Sequence, residues 1–170
     1  MRVLITAEQI RQRVEELGRQ IAADYGRQSV TLVGVLNGSL MFMADLLRQL
    51  DLPTRIGFIR ATSYRGATTT PGQLEIVPGL VPDVQGRHVL LLDDILDSGQ
   101  TLAQVIRHVR EHNPRSLRVG VLLRKLGRQQ VPLEPDYCGF TIPDLFVVGY
   151  GLDYNDEYRQ LPYVAVYEGT

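Results

Sequence analysis

Three carboxylates lie in one short segment of this chain and are followed at once by small hydroxyl residues and a glycine. The set comprises Asp93, Asp94, Asp97, Ser98, Gly99 and Thr101. The aliphatic run Val89 to Leu92 before them is typical of a parallel strand that is covered on both faces. Backbone amides and hydroxyls at the start of a helix bind phosphate, and Gly99 lets the backbone approach the phosphate closely. The segment therefore predicts a phosphate site between a strand and a helix.

The acids in this segment restrict the kind of ligand that can bind there. Asp93 and Asp94 would repel a bare phosphate unless hydroxyl donors or a divalent cation faced them. A phosphorylated ribose with Mg²⁺ supplies both. A simpler interpretation is a helix N-cap, in which Asp97 or Ser98 accepts hydrogen bonds from free amides and the other acids are solvated. A cap accounts for one acid of the three, so we predict a sugar-phosphate site.

Strands and helices alternate along the chain and place each candidate segment after a strand. We predict helices that begin after Thr6, Ser39 and Thr101, with apolar faces that include Ile10, Val14, Leu17 and Ile21 in the first, Leu40, Met43, Ala44 and Leu47 in the second, and Leu102, Val105, Ile106 and Val109 in the third. We predict strands over residues 30–36, 55–61, 74–77, 88–92, 117–123, 146–148 and 163–167. This alternation predicts a parallel α/β sheet, whose ligands collect at the carboxyl ends of the strands.

Length and composition narrow the class of protein. The 170 residues fit one domain with a sizeable core. The formal net charge of −1 gives no bulk attraction to nucleic acid or to a membrane surface, and no apolar run approaches the length of a membrane span. The single Cys138 cannot form an internal disulfide, and the first residues become polar too early for a secretory signal. We therefore expect a cytoplasmic protein with a small ligand, and no nucleic-acid or membrane partner.

The segment 89–102 closely resembles the phosphoribosyl-pyrophosphate motif of the purine phosphoribosyltransferases. That motif consists of several aliphatic residues, two acids, two apolar residues, Asp, a small hydroxyl residue, Gly, one variable residue and Thr. Four other segments resemble the hypoxanthine-guanine branch of the family, namely residues 35–39 (Val-Leu-Asn-Gly-Ser), 63–64 (Ser-Tyr), 123–125 (Leu-Arg-Lys) and 139–155. Five matching segments in the same order are far harder to produce by chance than one.

This resemblance covers almost the whole chain and implies both a fold and an activity. The implied fold is a single phosphoribosyltransferase domain over residues 1–170. It is of type I, with an open, mainly parallel twisted sheet flanked by helices and a small hood built from the terminal segments. The implied activity is Mg²⁺-dependent transfer of the phosphoribosyl group from phosphoribosyl pyrophosphate to hypoxanthine or guanine. Relatives associate as dimers or tetramers, so a homodimer or homotetramer is implied as well.

The resemblance also implies a role for individual residues. Ribose phosphate would be bound by Asp93, Asp94, Asp97, Ser98, Gly99, Gln100 and Thr101, with Asp97 as the general base. Pyrophosphate would be bound by Leu36, Asn37, Gly38, Ser39 and Arg159, and the Leu36–Asn37 peptide bond would be cis. The purine would be bound by Ile95, Lys125, Phe146, Val147 and Asp153. The metal ligands would be Asp93, Asp94 and Asp153, and the lid would contain Ser63 and Tyr64.

At two positions the chain departs from the pattern of that family. Many relatives carry Lys where this chain has Asn37, so a cation beside the pyrophosphate is absent while the backbone role of Gly38 and Ser39 is kept. The first acid of the pair is usually Glu, and Asp93 is one methylene shorter. We therefore expect the contact that Asp93 makes to pass through a water molecule.

Two other functions compete with this interpretation. A regulator that binds phosphoribosyl pyrophosphate and acts on nucleic acid would keep the phosphate site and could lose the purine pocket. Lys125, Phe146 and Asp153 together, without a basic composition, argue against it. The run His108-Val-Arg-Glu111-His112 also fits the H-x-x-E-H pattern of inverted zinc peptidases. No third ligand is evident there, so we give that function low weight.

Overall fold

A computed structural model describes residues 1–63, 74–76 and 82–169 of the chain. In chain order the elements are β1 (Arg2–Ile5), α1 (Ala7–Tyr25), β2 (Val30–Leu36), α2 (Leu40–Leu47), β3 (Thr54–Ser63), β4 (Leu74–Ile76), β5 (His88–Leu96), α3 (Gln100–Glu111), β6 (Ser116–Lys125), β7 (Tyr137–Ile142), β8 (Val147–Val148) and β9 (Val164–Val166). They form a six-stranded central sheet and a three-stranded sheet made from the two ends of the chain.

The central sheet has the strand order β4-β3-β2-β5-β6-β7. All neighbouring pairs are parallel except β3 and β4, which pair antiparallel at the edge. From β2 the chain moves towards β3 on one side, and from β5 it moves towards β6 and β7 on the other. The order therefore reverses between β2 and β5, which is where an open parallel sheet leaves a crevice for a ligand.

Both faces of the central sheet are covered, as the aliphatic run in β5 predicts. Leu90 and Leu92 pack into the cluster on the side of α1 and α2, while Val89 and Leu91 pack into the cluster on the side of α3. All four side chains are fully buried. Burial of one such side chain stabilises the fold by roughly 1.5–3 kcal/mol, so β5 is held firmly from both sides. Its carboxyl end is thus a rigid platform for a site.

Helices α1 and α3 have the predicted faces. Thr6 begins α1 through a capping box, in which its hydroxyl accepts from the Gln9 amide and the Gln9 side chain accepts from the Thr6 amide. The buried residues of α1 include Ile10, Val14, Leu17 and Ile21, and those of α3 are Leu102, Val105, Ile106 and Val109. In the part of the chain that the structure describes, no helix combines the length and the hydropathy needed to cross a membrane.

The predicted face of α2 is wrong in part. Leu40 is 44% exposed and Ala44 is also exposed, whereas Phe42, Met43 and Leu46 are buried. This helix is apolar on nearly every side, so periodicity cannot select the buried face. Asp45 is its one charged residue and accepts a hydrogen bond of 2.5 Å from the Tyr150 hydroxyl. Tertiary contacts therefore set the rotation of α2.

The hood expected from the terminal segments is present. Strand β9 pairs antiparallel with β1 on one side and with β8 on the other. Two of the strands, β1 and β7, were not predicted from periodicity. Strand β7 lies at the edge of the central sheet and contains Gly139, where an added Cβ would lie 2.5 Å from the Leu122 carbonyl oxygen. A glycine required by close strand packing obscured the strand pattern there.

Candidate functional site

A cavity of about 330 Å³ opens at the carboxyl ends of β2 and β5, where the strand order reverses. Most of the predicted site residues line it. They are Leu36, Asn37, Gly38, Asp93, Asp94, Ile95, Asp97, Ser98, Gly99, Thr101, Asp153 and Arg159. The cavity is also lined by Val35, Ala61, Leu96 and Leu102. The fold thus brings the ends of three predicted segments to one place.

The acid pair lies within β5 rather than after it, because the strand continues to Leu96. Asp93 is 8% exposed, and one of its carboxylate oxygens accepts a hydrogen bond of 2.9 Å from the Asp94 amide. Burial raises the pKa of Asp93 well above its ordinary value, and repulsion from Asp94 raises it further. Burial also raises the pKa of Asp94. The pair therefore favours a ligand that supplies positive charge or donor hydroxyls.

The turn after β2 packs directly against this acid pair. A Cβ at Gly38 would overlap the Asp94 carboxylate, so only glycine fits there. Gly151 has φ +100°, and a Cβ on it would overlap the Gly38 carbonyl oxygen. The Leu36–Asn37 peptide bond is cis, which confirms the prediction for that bond. The backbone amides of Asn37 and Gly38 make no hydrogen bond within the described residues, so they can donate to a ligand.

The turn between β5 and α3 has the properties of a phosphate site. Gly99 adopts φ +83°, a conformation that glycine reaches without strain. The Ser98 hydroxyl accepts from the Gln100 amide at 3.3 Å, and the Ser98 carbonyl oxygen accepts from the Gln130 amide at 2.8 Å. Among the residues described, none accepts a hydrogen bond from the amides of Ser98 and Gly99. These amides and the positive end of α3 can therefore bind an anion.

The third acid, Asp97, is in a different electrostatic environment. Its Oδ2 accepts from Lys125 Nζ at 3.1 Å, and its Oδ1 accepts from Arg128 Nε at 3.0 Å. Burial alone would raise the pKa of Asp97, but the hydrogen bonds from Arg128 and Lys125 outweigh burial and lower it. Both cations also lie 3.7 Å from Asp144 Oδ1. Arg128 or Lys125 can thus exchange one carboxylate partner for the other.

Asp153 and Arg159 also line the cavity. Arg159 Nη2 lies 2.9 Å from Asp153 Oδ1 and 3.2 Å from Asp156 Oδ1, and Arg159 Nη1 donates to the Gly151 carbonyl oxygen at 2.7 Å. Within residues 1–63, 74–76 and 82–169, no three His, Cys, Asp or Glu side chains gather closely enough to form a metal site by themselves. A cation at the acid pair would therefore take its remaining ligands from substrate or water.

Some predicted site residues do not line the cavity. Ser39 is fully buried, its hydroxyl has no hydrogen-bond partner in the described part of the chain, and its amide donates to the Val35 carbonyl oxygen at 3.2 Å. The Gln100 side chain donates to Gln130 instead, at 2.6 Å. Ser63 is the last residue of β3, and Tyr64 lies outside the described residues. The predicted roles of Ser39 and Gln100 in binding therefore stay predictions.

The predicted purine-site residues Lys125, Phe146 and Val147 are also absent from the residues that line the cavity, and Phe146 belongs to an aromatic cluster. Phe146 is 52% exposed, and its ring centre lies 5.9 Å from that of Tyr154 and 6.0 Å from that of Tyr167, in edge-to-face arrangements. A phenylalanine in an apolar strand is usually buried, so this exposure leaves a ring face available to a flat ligand. Val147 is buried in β8, where it pairs with Val166. Lys125, at the end of β6, has a side chain only 10% exposed.

Sequence reasoning missed two cations at the site. Arg128 lies in the loop after β6 and holds Asp97, although its sequence surroundings suggest a solvated surface charge. Arg60 in β3 donates from Nη2 to Asn37 Oδ1 at 3.1 Å. Neither residue belongs to a matching motif. The contact between Arg60 and Asn37 could have been indicated only by the prediction that their two strands are neighbours.

The two histidines of the H-x-x-E-H motif on α3 contact each other through their rings. The His108 and His112 ring centres are 4.8 Å apart, and His112 Nδ1 lies 2.9 Å from the His108 carbonyl oxygen. Glu111 is exposed. Within the described part of the chain, no third His, Cys, Asp or Glu side chain joins these two histidines to form a metal site, so the peptidase interpretation has no support there.

Comparisons with known proteins agree with this geometry. The family model for the phosphoribosyl transferase domain matches residues 5–155. A hypoxanthine-guanine phosphoribosyltransferase of Mycobacterium tuberculosis is 45% identical over 169 residues, covering 96% of this chain and 84% of the relative, and one of Streptococcus pneumoniae is 41% identical over 165 residues, covering 97% and 92%. A crystal structure of a Bacillus anthracis hypoxanthine-guanine phosphoribosyltransferase superimposes with a TM-score of 0.92 at 38% identity, covering 98% of each chain.

Proposed function

The chain belongs to the phosphoribosyltransferase family, among the hypoxanthine-guanine enzymes, and from that premise we propose which of its residues carry out each part of the reaction. The enzyme transfers the 5-phosphoribosyl group from phosphoribosyl pyrophosphate to a 6-oxopurine. The products are inosine or guanosine monophosphate and pyrophosphate, in purine salvage. One observation carries the assignment of residues: a single cavity combines a turn of free backbone amides with an acid pair in which Asp93 is buried and Asp94 half-buried.

The 5′-phosphate of the donor binds at the turn between β5 and α3. The amides of Ser98 and Gly99 have no acceptor within the described part of the chain, and Thr101 adds a hydroxyl on the same wall of the cavity. Several such donors that converge on one point bind phosphate tightly, and the dipole of α3 adds to their effect. This contact fixes the ribose so that its anomeric carbon faces the purine pocket.

Asp93 and Asp94 would face the ribose hydroxyls and would hold a magnesium ion. The donor set fits this ion, because Mg²⁺ binds one or two carboxylates together with phosphate oxygens of a substrate and water. The raised pKa of both acids supports the assignment, since a cation would relieve the repulsion between them. Bound there, magnesium would neutralise charge on the departing pyrophosphate. Asp153 would approach a second ion after exchanging its contact with Arg159.

The pyrophosphate group lies over the turn formed by Leu36, Asn37 and Gly38. The amides of Asn37 and Gly38 are available as donors, and Arg159 lines the same cavity. Donors placed where negative charge develops stabilise the transition state, because they need no reorganisation during the reaction. The turn would therefore contribute to catalysis as well as to binding of the donor.

The purine binds between Phe146 and the end of β6. Phe146 stacks on the ring, Val147 offers backbone groups to its edge, Ile95 supplies an apolar contact, and Lys125 donates to the oxygen at purine position 6. An adenine carries an amino group at that position and cannot accept this hydrogen bond, so the buried ammonium of Lys125 would lose a partner. A site built around such a bond discriminates strongly against the analogue that lacks the acceptor.

Asp97 accepts the proton that leaves the attacking imidazole nitrogen of the purine. Its lowered pKa makes it a weak base while both Lys125 and Arg128 donate to it. Binding of the purine draws Lys125 towards the base, and Arg128 can turn to Asp144, which is 3.7 Å away. Both changes raise the pKa of Asp97. In this proposal the arrival of the purine thus activates its own proton acceptor.

A lid that contains Ser63 and Tyr64 covers the reacting atoms. The transition state at the anomeric carbon resembles an oxocarbenium ion, which water would capture in an open site. Ser63 ends β3, the strand that pairs with β2, and the pyrophosphate turn follows β2. Such a position favours closure over the donor.

We further propose one domain over residues 1–170 that works in the cytoplasm as a homodimer or homotetramer. Exposed aliphatic residues support association of copies: Leu40 is 44% exposed, Ile56 51% and Leu126 60%. Light scattering after size exclusion at micromolar concentration tests the assembly, and a mass of one chain would contradict it. The half-buried free thiol of Cys138 is compatible with a reducing compartment.

The experiment for the proposed function measures pyrophosphate release from phosphoribosyl pyrophosphate with hypoxanthine, guanine, xanthine or adenine, with and without Mg²⁺. We expect release with hypoxanthine and guanine only in the presence of Mg²⁺, and little with adenine. A gel-mobility assay with RNA and DNA serves as the control for the regulator alternative. Nucleic-acid binding without pyrophosphate release would overturn the proposal.

A further inference from the structure

Arg60 places a guanidinium beside Asn37, in the turn proposed to bind the pyrophosphate group. It lies in β3, where the parallel register pairs it with Leu36 at the end of β2. Its side chain is exposed, and Nη2 donates to the Asn37 side-chain oxygen at 3.1 Å. Asn37 itself lines the cavity. One hydrogen bond therefore holds the guanidinium beside a residue that lines the cavity, and the described side chains of residues 1–61 and 82–169 accept no second hydrogen bond from it.

The other cations around the cavity already have carboxylate partners. Arg159 pairs with Asp153 and Asp156, while Lys125 and Arg128 pair with Asp97. Among residues 1–61 and 82–169, no carboxylate forms an ion pair with Arg60, and its hydrogen-bond partner is the neutral side-chain amide of Asn37. No carboxylate in that part of the chain therefore neutralises its charge.

Charge at this end of the cavity is needed for the donor to bind. Four of the lining residues are acidic, namely Asp93, Asp94, Asp97 and Asp153, and Arg159 is the one basic residue among them. Pyrophosphate brings several further negative charges next to the turn at Asn37, whose own side chain is uncharged. A guanidinium suits this position because its planar donors contact two phosphate oxygens at once.

We propose that Arg60 is the pyrophosphate-binding cation of this enzyme, oriented by Asn37 and acting in place of a basic residue on the turn itself. The inference rests on the proposed function and adds a specificity residue to it. Asn37 Oδ1 accepts from one N–H of the guanidinium and directs the remaining donors towards the pyrophosphate. The 5′-phosphate and the purine lie at the other end of the cavity and do not contact Arg60.

Two ligands separate this role from a purely structural one. Pyrophosphate with Mg²⁺ occupies only the site next to Asn37, whereas guanosine monophosphate occupies the 5′-phosphate and purine sites without it. Calorimetry measures the affinity of each ligand for the wild-type chain, Arg60→Gln and Arg60→Lys. Arg55→Gln is the matched control, because Arg55 is also exposed on β3 but lies at the amino end of the strand, opposite Thr31.

We expect Arg60→Gln to weaken pyrophosphate binding about tenfold or more, the usual effect of losing hydrogen bonds to a charged group. Guanosine monophosphate binding should stay within about twofold, as for a surface substitution. Arg60→Lys should retain part of the pyrophosphate affinity and lose the bidentate contact. Arg55→Gln should bind both ligands like the wild type, and steady-state assays should show a raised KM for phosphoribosyl pyrophosphate only in the Arg60 variants.

Two results would overturn the role of Arg60. One is a pyrophosphate affinity within about twofold of wild type in Arg60→Gln, the range of surface substitutions without specific contacts. The other is an equal loss for both ligands, which would mean that Arg60 merely supports the turn. A wild-type chain that binds pyrophosphate through Arg60 but transfers no phosphoribosyl group would support Arg60 and overturn the proposed function instead.

Discussion

Two groups of acids on the same cavity have opposite electrostatic environments. Asp93 and Asp94, in β5, form no ion pair within the described part of the chain, and burial raises the pKa of both. Asp97, at the end of the same strand, accepts hydrogen bonds from Lys125 and Arg128, which lower its pKa despite burial. The protein thus neutralises the charge of Asp97 with its own cations, whereas the charges of Asp93 and Asp94 are left for a ligand to neutralise.

The difference teaches which part of the site depends on a ligand. An acid pair without a cationic partner, of which Asp93 is buried and Asp94 half-buried, destabilises the free protein until a cation or donor hydroxyls arrive, so its role is binding. Asp97, which is already paired with two cations, is held in place before the substrate binds. Its proposed role as a base begins when the purine draws those cations away. Substitutions of Asp97 and its two cations, and of Asp93, test this difference between the two groups.

The largest effect is expected for Asp97→Asn, which removes the proton acceptor but keeps the shape of the side chain. We expect kcat to fall about 100-fold or more, the usual contribution of a general base, with little change in the KM for phosphoribosyl pyrophosphate. Asp144→Asn is the control, because Asp144 faces the same two cations. Turnover that is unchanged across the pH range in Asp97→Asn would remove the general-base role.

Lys125→Met removes one of the two cations that neutralise Asp97, because it keeps the apolar stem of the side chain and lacks the ammonium. We expect kcat/KM for hypoxanthine to fall by roughly 10- to 100-fold, the range for losing a hydrogen bond to a charged group. The value for adenine should stay constant or rise, so the ratio between the two bases shrinks. An undiminished preference for hypoxanthine would show that Lys125 does not select the 6-oxo group.

The unpaired acid Asp93 should lower the stability of the folded protein at neutral pH. The folded-state pKa of Asp93 is raised, so as pH increases above about 4 the unfolded chain ionises first and the folded state loses stability relative to it. Asp93→Asn removes this loss. We expect Tm at pH 7 to rise by about 3 °C for each kcal/mol recovered, and the gain to vanish below about pH 4, where Asp93 is protonated in both states.

Differential scanning calorimetry of Asp93→Asn at several pH values measures this effect. Asp51→Asn is the control, because Asp51 is exposed and lies far from β5 in sequence. Phosphoribosyl pyrophosphate with Mg²⁺ should stabilise the wild-type chain more than Asp93→Asn. A lower Tm for Asp93→Asn at pH 7 would mean that the acid pair is already compensated in the free protein.

The smallest effect is expected for Arg128→Gln, because Arg128 has a side chain that is 49% exposed and its ion pair is screened by solvent. Removing one of two cations raises the pKa of Asp97 towards its ordinary value. The acidic limb of the pH–rate profile should move to higher pH, while the rate at pH 8 stays within about threefold of wild type. A shift to lower pH would contradict the assignment of Arg128 as a partner of Asp97.

The sequence predicts the fold well where patterns are local. The capping box at Thr6, the run Val30–Leu36 and the stripe of α3 each follow from periodicity and cap chemistry, and the structure has all three. The reversal of strand order brought the predicted segments together because the carboxyl ends of parallel strands share one edge. For the site, motif positions predicted most of the residues that line the cavity.

What the sequence did not predict depends on contacts between distant segments. The rotation of α2 is set by tertiary packing, since the helix is apolar all round. Ser39 occupies a matching motif position, yet its hydroxyl is buried beneath β2, where a Cβ on Gly34 would lie 2.8 Å from it. Arg60 and Arg128 reach the site from another strand and a loop, and spacing along the chain carries no signal for either contact.

The central claim is that the carboxyl end of β5, with its acid pair and phosphate turn, binds the activated ribose. Calorimetric titration of phosphoribosyl pyrophosphate in the presence of Mg²⁺ tests it most directly, with the wild-type chain beside the double variant Asp93→Asn, Asp94→Asn. We predict one donor bound per chain in the wild type and an affinity about tenfold or more weaker in the double variant. Equal affinity in both, or no uptake by the wild type, would contradict the claim.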